Sequence, residues 1–397
     1  NHSRVREGTK SIVHHLESLG YRVALMGKTH YKPPASFPFE YLGDIREGKI
    51  DEAKLAEFIN RDPDQPYCVV VASHEPHSPW NIGDPSQYDP ADFVVPPYLY
   101  DCPETREAMR AYYAEITALD DEVGVCLNLI DRSAQAKNTL VMFLSEQGSS
   151  MPFGKWTCYD AGQKAACIVR WPGKVKPGTR TSALCEYIDV VPTFLEAAGA
   201  DPSRFDTGCP DAFGNRGFDG KSFLDVLLGR KDTHREYVYG AHTTRGIING
   251  SACYPIRSVR NERFKYIWNP NWQATFYNTE GTQPSGLPKL WLKRPEAEAK
   301  ARAEAYYHRP EEELYDLQAD PFELHNLAND PQYAPVKKKL RQVLDAWMKQ
   351  QGDEGIGTEM KALERQGMSG NKTWQPYDPD HPPVKKAKQK PKQAKGK

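Results

Sequence analysis

The sequence has no long apolar run: nothing in it approaches the roughly 18 residues of a membrane span. It also lacks a dominant charge. The net charge is −1, and the seven lysines of residues 385–397, with no acid among them, leave −1 − 7 = −8 on the rest. A mildly acidic body argues against nucleic acid as the main partner. Cysteine pairs are missing too. The eight cysteines (68, 102, 126, 158, 167, 185, 209, 253) form no CxxC and no zinc spacing. Several sit in apolar runs, where a buried thiol is the ordinary reading, and the redox compartment stays open. There is no internal repeat. "GKSF" at 220–223 lacks the upstream glycine of a phosphate loop. The first residues, "NHSRVREGTK", are neither a methionine start nor a signal peptide. The chain is therefore expected to begin inside something, with its address unreadable.

What is present reads as globular. Hydrophobic residues make up 39% and charged residues 26%, ordinary for a soluble fold. A length of 397 residues predicts two or three domains. "SIVHHLESLG", "DEAKLAEFIN", residues 104–131 and "YIDVVPTFLEAAG" carry apolar residues at helical spacing, with Asp51 a plausible N-cap. "YRVALMG", "YCVVVAS", "NTLVMFL" and "CIVRWPG" are short, nearly solid apolar runs, the pattern of strands buried on both faces. Strands alternating with helices predict an α/β fold with a doubly wound, mostly parallel sheet over residues 1–234. From residue 235 to 355 shorter strands and an amphipathic helix predict a smaller α+β subdomain built on an antiparallel sheet. From 356 to 397 proline and lysine dominate, and a disordered tail without a core is expected.

In doubly wound sheets the chemistry gathers beyond the carboxyl ends of the strands. Three strands here end on polar clusters: Lys28-Thr29-His30, Ser73-His74-Glu75-Pro76-His77, and Ser145-Glu146-Gln147-Gly148. Glu146 and Gln147 offer oxygen ligands suited to a hard cation, although the pair by itself reads more simply as a polar turn. Lys28 with His30 would bind an anion and move a proton; taken alone they are surface residues. His74 and His77 lack a third partner at zinc spacing, so a single histidine facing the pocket is the better reading. Lys155 alone is an exposed lysine. Asp120-Asp121 lies mid-helix, where neighbours diverge by about 100° and rarely meet one metal.

Together, in this order, "GYRVALMGKTHY", "SHEPHSPW", "LSEQGSSMPFGKWTCYD", "VRWPGKVKPGT", "YPIRSVRNERFKYIWN" and "ELYDLQADPFELHNLANDP" resemble the sulfatase family of the alkaline-phosphatase-like superfamily, nearest its sulfamidase (N-sulfoglucosamine sulfohydrolase) branch. The resemblance implies a sulfohydrolase of sulfated carbohydrates that uses one calcium ion and a formylglycine nucleophile. It places Glu146 and Gln147 on metal positions, Lys28, His30, His77 and Lys155 on catalytic positions, and His242 of "GAHTTRG" on the sugar-facing side. It implies a periplasmic, extracellular or lysosomal address.

Two departures qualify it. The family has aspartate and asparagine where this chain has Glu146 and Gln147, one methylene longer with the same oxygens. Its nucleophile motif, C/S-x-P-x-R, and its paired aspartates belong upstream of Lys28 and are not in this sequence; "CPETR" at Cys102 has proline in the wrong place. The chain as written is therefore expected to be inactive by itself, and to have a sheet edge or a central gap that exposes apolar surface and lowers its solubility. Two alternatives stay open from the sequence: a phosphatase or phosphonate hydrolase of the same superfamily, and a non-catalytic protein that binds sulfated glycans.

Overall fold

A computed structural model describes residues 4–245, 250–251, 253–278 and 286–365. The first part alternates strands and helices: α1 (Ile12–Glu17), β1 (Arg22–Gly27), β2 (Glu40–Gly43), α2 (Glu52–Asn60), β3 (Tyr67–Ala72), α3 (Pro103–Asp131), β4 (Val141–Leu144), α4 (Asp160–Gln163), β5 (Cys167–Arg170), α5 (Val190–Ala197) and α6 (Leu224–Leu227). Asp51 caps α2, accepting the Lys54 N–H at 3.1 Å, as its position predicts. Strands β2, β1 and β3 form a parallel sheet with β1 central.

The pleat of β1 sends alternate side chains to opposite faces. Ala24 and Met26 pack with Leu55, Phe58 and Ile59 of α2 and Ile130 of α3. Val23 packs on the other side with Val13 and Leu16 of α1 and Leu195 of α5. This two-sided cover is the doubly wound arrangement that the solid apolar strands predict.

One feature differs from the sequence reading and one answers to it. β5 runs antiparallel to β4, pairing Val141 with Arg170 through Leu144 with Cys167, and these two strands form a sheet of their own. The connection between them holds only the four-residue α4, which is too short a helix for a parallel crossover. The second feature is an opening. Among the described residues β3 pairs only with β1 and β4 only with β5. The space between their free edges is a cavity of about 1300 Å³, lined by every residue of both strands and by the apolar face of α3. That is why β3 is half-buried throughout, whereas five of the six residues of β1 are fully buried.

The second part is a four-stranded antiparallel sheet of β6 (Val238–His242), β7 (Ile256–Arg260), β8 (Phe264–Trp268) and β9 (Glu312–Asp316), with α7 (Leu287–Leu292), α8 (Ala297–Tyr307) and α9 (Ala334–Gln351). α9 lays Leu340, Leu344 and Met348 on Val259, Tyr266 and Leu314. The other side joins the first part. Tyr254, Ile256 and Ile267 share a core with Met109 of α3 and with Met151, Phe153, Cys158 and Tyr159. A buried ion cluster seals the joint: Lys265, with no exposed surface, reaches Asp160 at 2.5 Å and Glu323 at 3.1 Å, and Arg260 reaches Asp160 at 2.5 Å.

The tail predicted from residue 356 opens instead with an ordered helix, α10 (Ile356–Lys361). Glu359 explains it: fully buried, it accepts the Thr244 hydroxyl at 3.0 Å and the Arg245 N–H at 2.7 Å. The lysine-rich stretch beyond residue 365 lies outside the described residues.

Candidate active site

Strand ends build the site. β1 runs out at Gly27, whose φ of 97° suits glycine, and a side chain there would strike the carbonyl of Ala72. Lys28 then returns its own N–H to Ala72 O at 2.8 Å, which ties the end of β1 to the end of β3. On β4's side Gly148 passes too close to Ala161 O to carry a Cβ, and its N–H bonds Gly162 O at 3.0 Å. The loop after it doubles back, with Phe153 and Trp156 at φ of 66° and 70°. The Lys155 N–H to Ser149 O bond of 2.7 Å closes it.

These three strand ends face one cavity. Lys28, His30, His77, Glu146, Gln147 and Lys155 all line it, although 127 residues separate the first from the last (155 − 28 = 127). Lys28 Nζ lies 3.9 Å from Glu146 Oε2. Gln147 Nε2 donates to the same oxygen at 3.3 Å. Lys155 Nζ sits 5.0 Å over the Trp156 ring. Burial lowers the pKa of Lys155, Glu146 opposes that shift, and Lys28 adds to it. The His77 imidazole pKa is likewise lowered, first by burial and then by the charges of Lys155 and Lys28. Its Nδ1 meets the Ser78 carbonyl at 2.7 Å, which fixes Nδ1 as the protonated nitrogen of the neutral ring and leaves Nε2 to accept.

The two histidines of "SHEPH" separate. His74 Nε2 turns to Asp44 Oδ1 at 2.8 Å, and that contact holds the Asp44 carboxyl below its usual range. His77 faces the lysines. Among the described residues no three His, Cys, Asp or Glu side chains stand where they would hold a metal. Glu146 and Gln147 fit a hard cation in kind, since both present oxygen and a cation, the Lys28 ammonium, already lies beside Glu146. They fall short in number, supplying two of the six to eight oxygens that calcium takes.

His242 is not among the residues that line this cavity. It ends β6, its ring packs edge-on to Phe276 at 6.4 Å, and its Nε2 is buried without a partner. Burial, then Arg309 and Arg257, push its pKa down to about 3.

Sequence reasoning missed a group beside His77. Glu75 and Glu122 of α3 also line the cavity, Glu115 lies buried on the same helix, and burial with the charges of these two glutamates raises the Glu75 pKa above the ordinary carboxyl range. A signal was available: two glutamates seven apart, on the face of α3 that otherwise carries Tyr112, Leu119 and Cys126. Tyr187, which covers the strand end by donating its hydroxyl to Ser145 O, left no such signal.

Comparison with known proteins gives the site a context. The family model described as Sulfatase matches residues 52–200, and that described as N-sulphoglucosamine sulphohydrolase, C-terminal, matches residues 148–280. The chain is 32% identical over 367 residues to an ulvan-active sulfatase of Formosa agariphila, covering 89% of this chain and 67% of that protein. It is 26% identical over 398 residues to N-sulphoglucosamine sulphohydrolase of Homo sapiens, covering 88% and 75%. Among solved structures, one described as a complex with its substrate D-glucosamine-2-N,6-O-disulfate superposes with a TM-score of 0.64 at 20% identity, covering 90% of this chain and 85% of that one.

Proposed function

From the premise that this chain belongs to the sulfatase family of hydrolases, as its identity to the ulvan-active sulfatase shows, we propose that the cavity between β3 and β4 receives the sulfate group of a sulfated glycan. The observation that carries this is the meeting of Lys28, His30, His77, Lys155, Glu146 and Gln147, from three strand ends, on one cavity. The substrate class follows from the relatives: one is named for ulvan, one for N-sulphoglucosamine, and one is described with a disulfated glucosamine.

The roles follow from charge and reach. Lys28 and Lys155 neutralise the sulfuryl oxygens, where fixed cations in a water-poor site are worth several kcal/mol. His77 is neutral at physiological pH because its pKa is lowered. Its Nε2 takes up a proton at the site and returns it to the leaving oxygen or nitrogen. His30, two residues beyond Lys28, serves proton transfer during sulfate release. Glu146 and Gln147 would contribute oxygens to a divalent cation; when bound, that ion would polarise the sulfate as a Lewis acid, and a formylglycine outside this chain would supply the nucleophile. His242 takes no part in this scheme.

The test uses inorganic sulfate as the probe. Calorimetric titration of the chain is expected to show binding that weakens about tenfold or more for Lys155→Ala, the loss of one charge-assisted contact worth roughly 1.5–3 kcal/mol. Sulfate should also shift the His77 ring resonances. Equal affinity in wild type and in a Lys28→Ala/Lys155→Ala double variant would remove the sulfate pocket from this cavity.

A further inference from the structure

Residues 161–185 carry five basic side chains and no acidic one, in a chain whose net charge is −1. The segment starts at the site and runs away from it. β5 pairs Cys167 with Leu144, at the carboxyl end of β4, and Arg170 with Val141, at the other end. At the site end Ala166 donates its N–H to Ser145 Oγ at 2.8 Å, and both Ala166 and Trp171 line the cavity. Lys164 stands two residues before Ala166. The strand, about 13 Å long at roughly 3.3 Å per residue, leads to a loop of two Pro-Gly turns. In the first, Gly173 has a φ of 72° and the Lys174 N–H bonds Trp171 O at 3.1 Å. In the second, Gly178 has a φ of 73° and the Thr179 hydroxyl bonds Lys176 O at 2.9 Å. Proline fixes one turn position and glycine supplies the positive φ of the next. Lys174 and Lys176 are thus presented on a stiff backbone.

The strip is not neutralised from within the fold. Of its five cations only Arg170 has an ion pair among the described residues, with Asp131 at 2.7 Å. The acids at its two borders are engaged elsewhere, Asp160 by Lys265 and Arg260, and Glu186 by Arg235 at 3.2 Å. Lys164, Lys174, Lys176 and Arg180 are all exposed. The strand between them is open as well. Ile168 is 65% exposed, and among the described residues β5 pairs only with β4.

A row of unpaired cations beside a pocket for one anion fits a ligand that carries several. We propose that this strip is a docking surface for a sulfated glycan chain: one sulfate group enters the cavity, and Lys164, Lys174, Lys176 and Arg180 receive sulfates further along the same chain. The inference rests on the reading of the cavity as a sulfate pocket and extends it from a single group to a polymer. Such contacts bind by charge and counterion release rather than by fitted shape. They hold the polymer near the cavity and leave its register free. Nucleic acid suits the strip less well, because it asks for a basic face across the domain, and the net charge here is −1.

The experiment uses the full chain and a sulfated glucosamine octasaccharide as the probe. Lysines are acetylated with and without it, and the modified positions are read by mass spectrometry. Lys164, Lys174 and Lys176 should be protected; the lysines of residues 385–397 fall on other peptides and are read separately. A Lys174→Gln/Lys176→Gln variant should bind the octasaccharide several-fold more weakly. Its slope of log affinity against log salt should be shallower by roughly 2, one for each cation removed. Its affinity for inorganic sulfate should match wild type, since neither lysine lines the cavity. Equal acetylation of the three lysines with and without the octasaccharide would overturn the proposal. So would equal protection by a polyglutamate peptide or a single-stranded oligonucleotide, which would make the strip a surface for another partner. The Lys28→Ala/Lys155→Ala double variant separates the two readings. Protection that persists in it, together with a failed sulfate titration, removes the pocket and leaves the strip. Lost protection in wild type with intact sulfate binding removes the strip alone.

Discussion

Lys28 and Glu146 stand 3.9 Å apart on strand ends that belong to two different sheets. Glu146 is 72% exposed at its side chain, so as an ion pair the contact is worth at most about 1 kcal/mol. Its importance is positional. It marks where the lysine proposed to bind an anion at the end of one sheet meets the carboxylate proposed to hold a cation at the end of the other.

That proximity makes the two cations competitors, which gives the first prediction. Calcium titrated into the chain is expected to bind weakly, because two side-chain oxygens are a fraction of its normal shell. Lys28→Gln should strengthen that binding several-fold by removing a like charge, and Glu146→Gln should abolish it. Calcium affinity unmoved by both substitutions, measured by calorimetry, would take the metal away from Glu146.

The ion cluster at the joint predicts a large stability effect. Removing Lys265 leaves Asp160 and Glu323 as buried carboxylates without their ammonium, a loss of about 3–5 kcal/mol. Glu323 is already pushed up to about 7, chiefly by burial. Lys265→Met should therefore recover part of its loss at pH 5, where Glu323 takes a proton. Urea unfolding at pH 5 and pH 8 measures both, and a variant within 1 kcal/mol of wild type at pH 8 would contradict the assignment.

His242 predicts acid sensitivity. Its folded pKa of about 3 lies below the ordinary imidazole value of 6.5, so the fold keeps the ring neutral while the unfolded chain takes a proton. Stability is intact above the unfolded pKa and is lost as pH falls from 6.5 toward 3. His15 and His77, also lowered, share in that loss. Glu75 and Glu122, whose pKa values burial raises, push the other way over the same range, so the comparison with His242→Gln isolates the histidine's share. The variant should lose visibly less melting temperature than wild type between pH 6.5 and pH 4. An identical drop would show that His242 is not held neutral.

What could be read from the chain and what could not divide along physical lines. Solid apolar runs that end on Lys28, on Ser73 to His77 and on Ser145 to Gln147 announce strands with a polar edge, and topology then brings those ends together. The direction of β5 was not legible, because an apolar run such as "CIVR" looks the same in either orientation and only the short connection decides it. α10 was hidden in a polar, glycine-containing stretch whose order comes from burying Glu359 against Thr244 and Arg245, a tertiary effect. Glu115 and Glu122 could have been noticed from their spacing on the apolar face of α3, but Glu75 was hidden for the opposite reason. It is an ordinary surface residue by type, and only the loop folded back at the strand end half-buries it.

The separation of β3 from β4 has a mechanical consequence. With no backbone ladder across the opening among the described residues, strand pairing there does not set the distance between Lys28 and Glu146. That distance is inherited from α3, about 44 Å long at 1.5 Å per residue, whose Ile130 end packs with Val69 and Val71 of β3 and with Val141 of β4 in one cluster. The arrangement is a calliper: one jaw ends in Lys28, the other in Glu146 and Gln147, and the helix is the spine that holds the reading. Sheets joined edge to edge are stiff because every residue is a rivet. Here the hold comes from side-chain packing such as the cluster around Ile130, so a change in packing far from the charges would alter the gap between them.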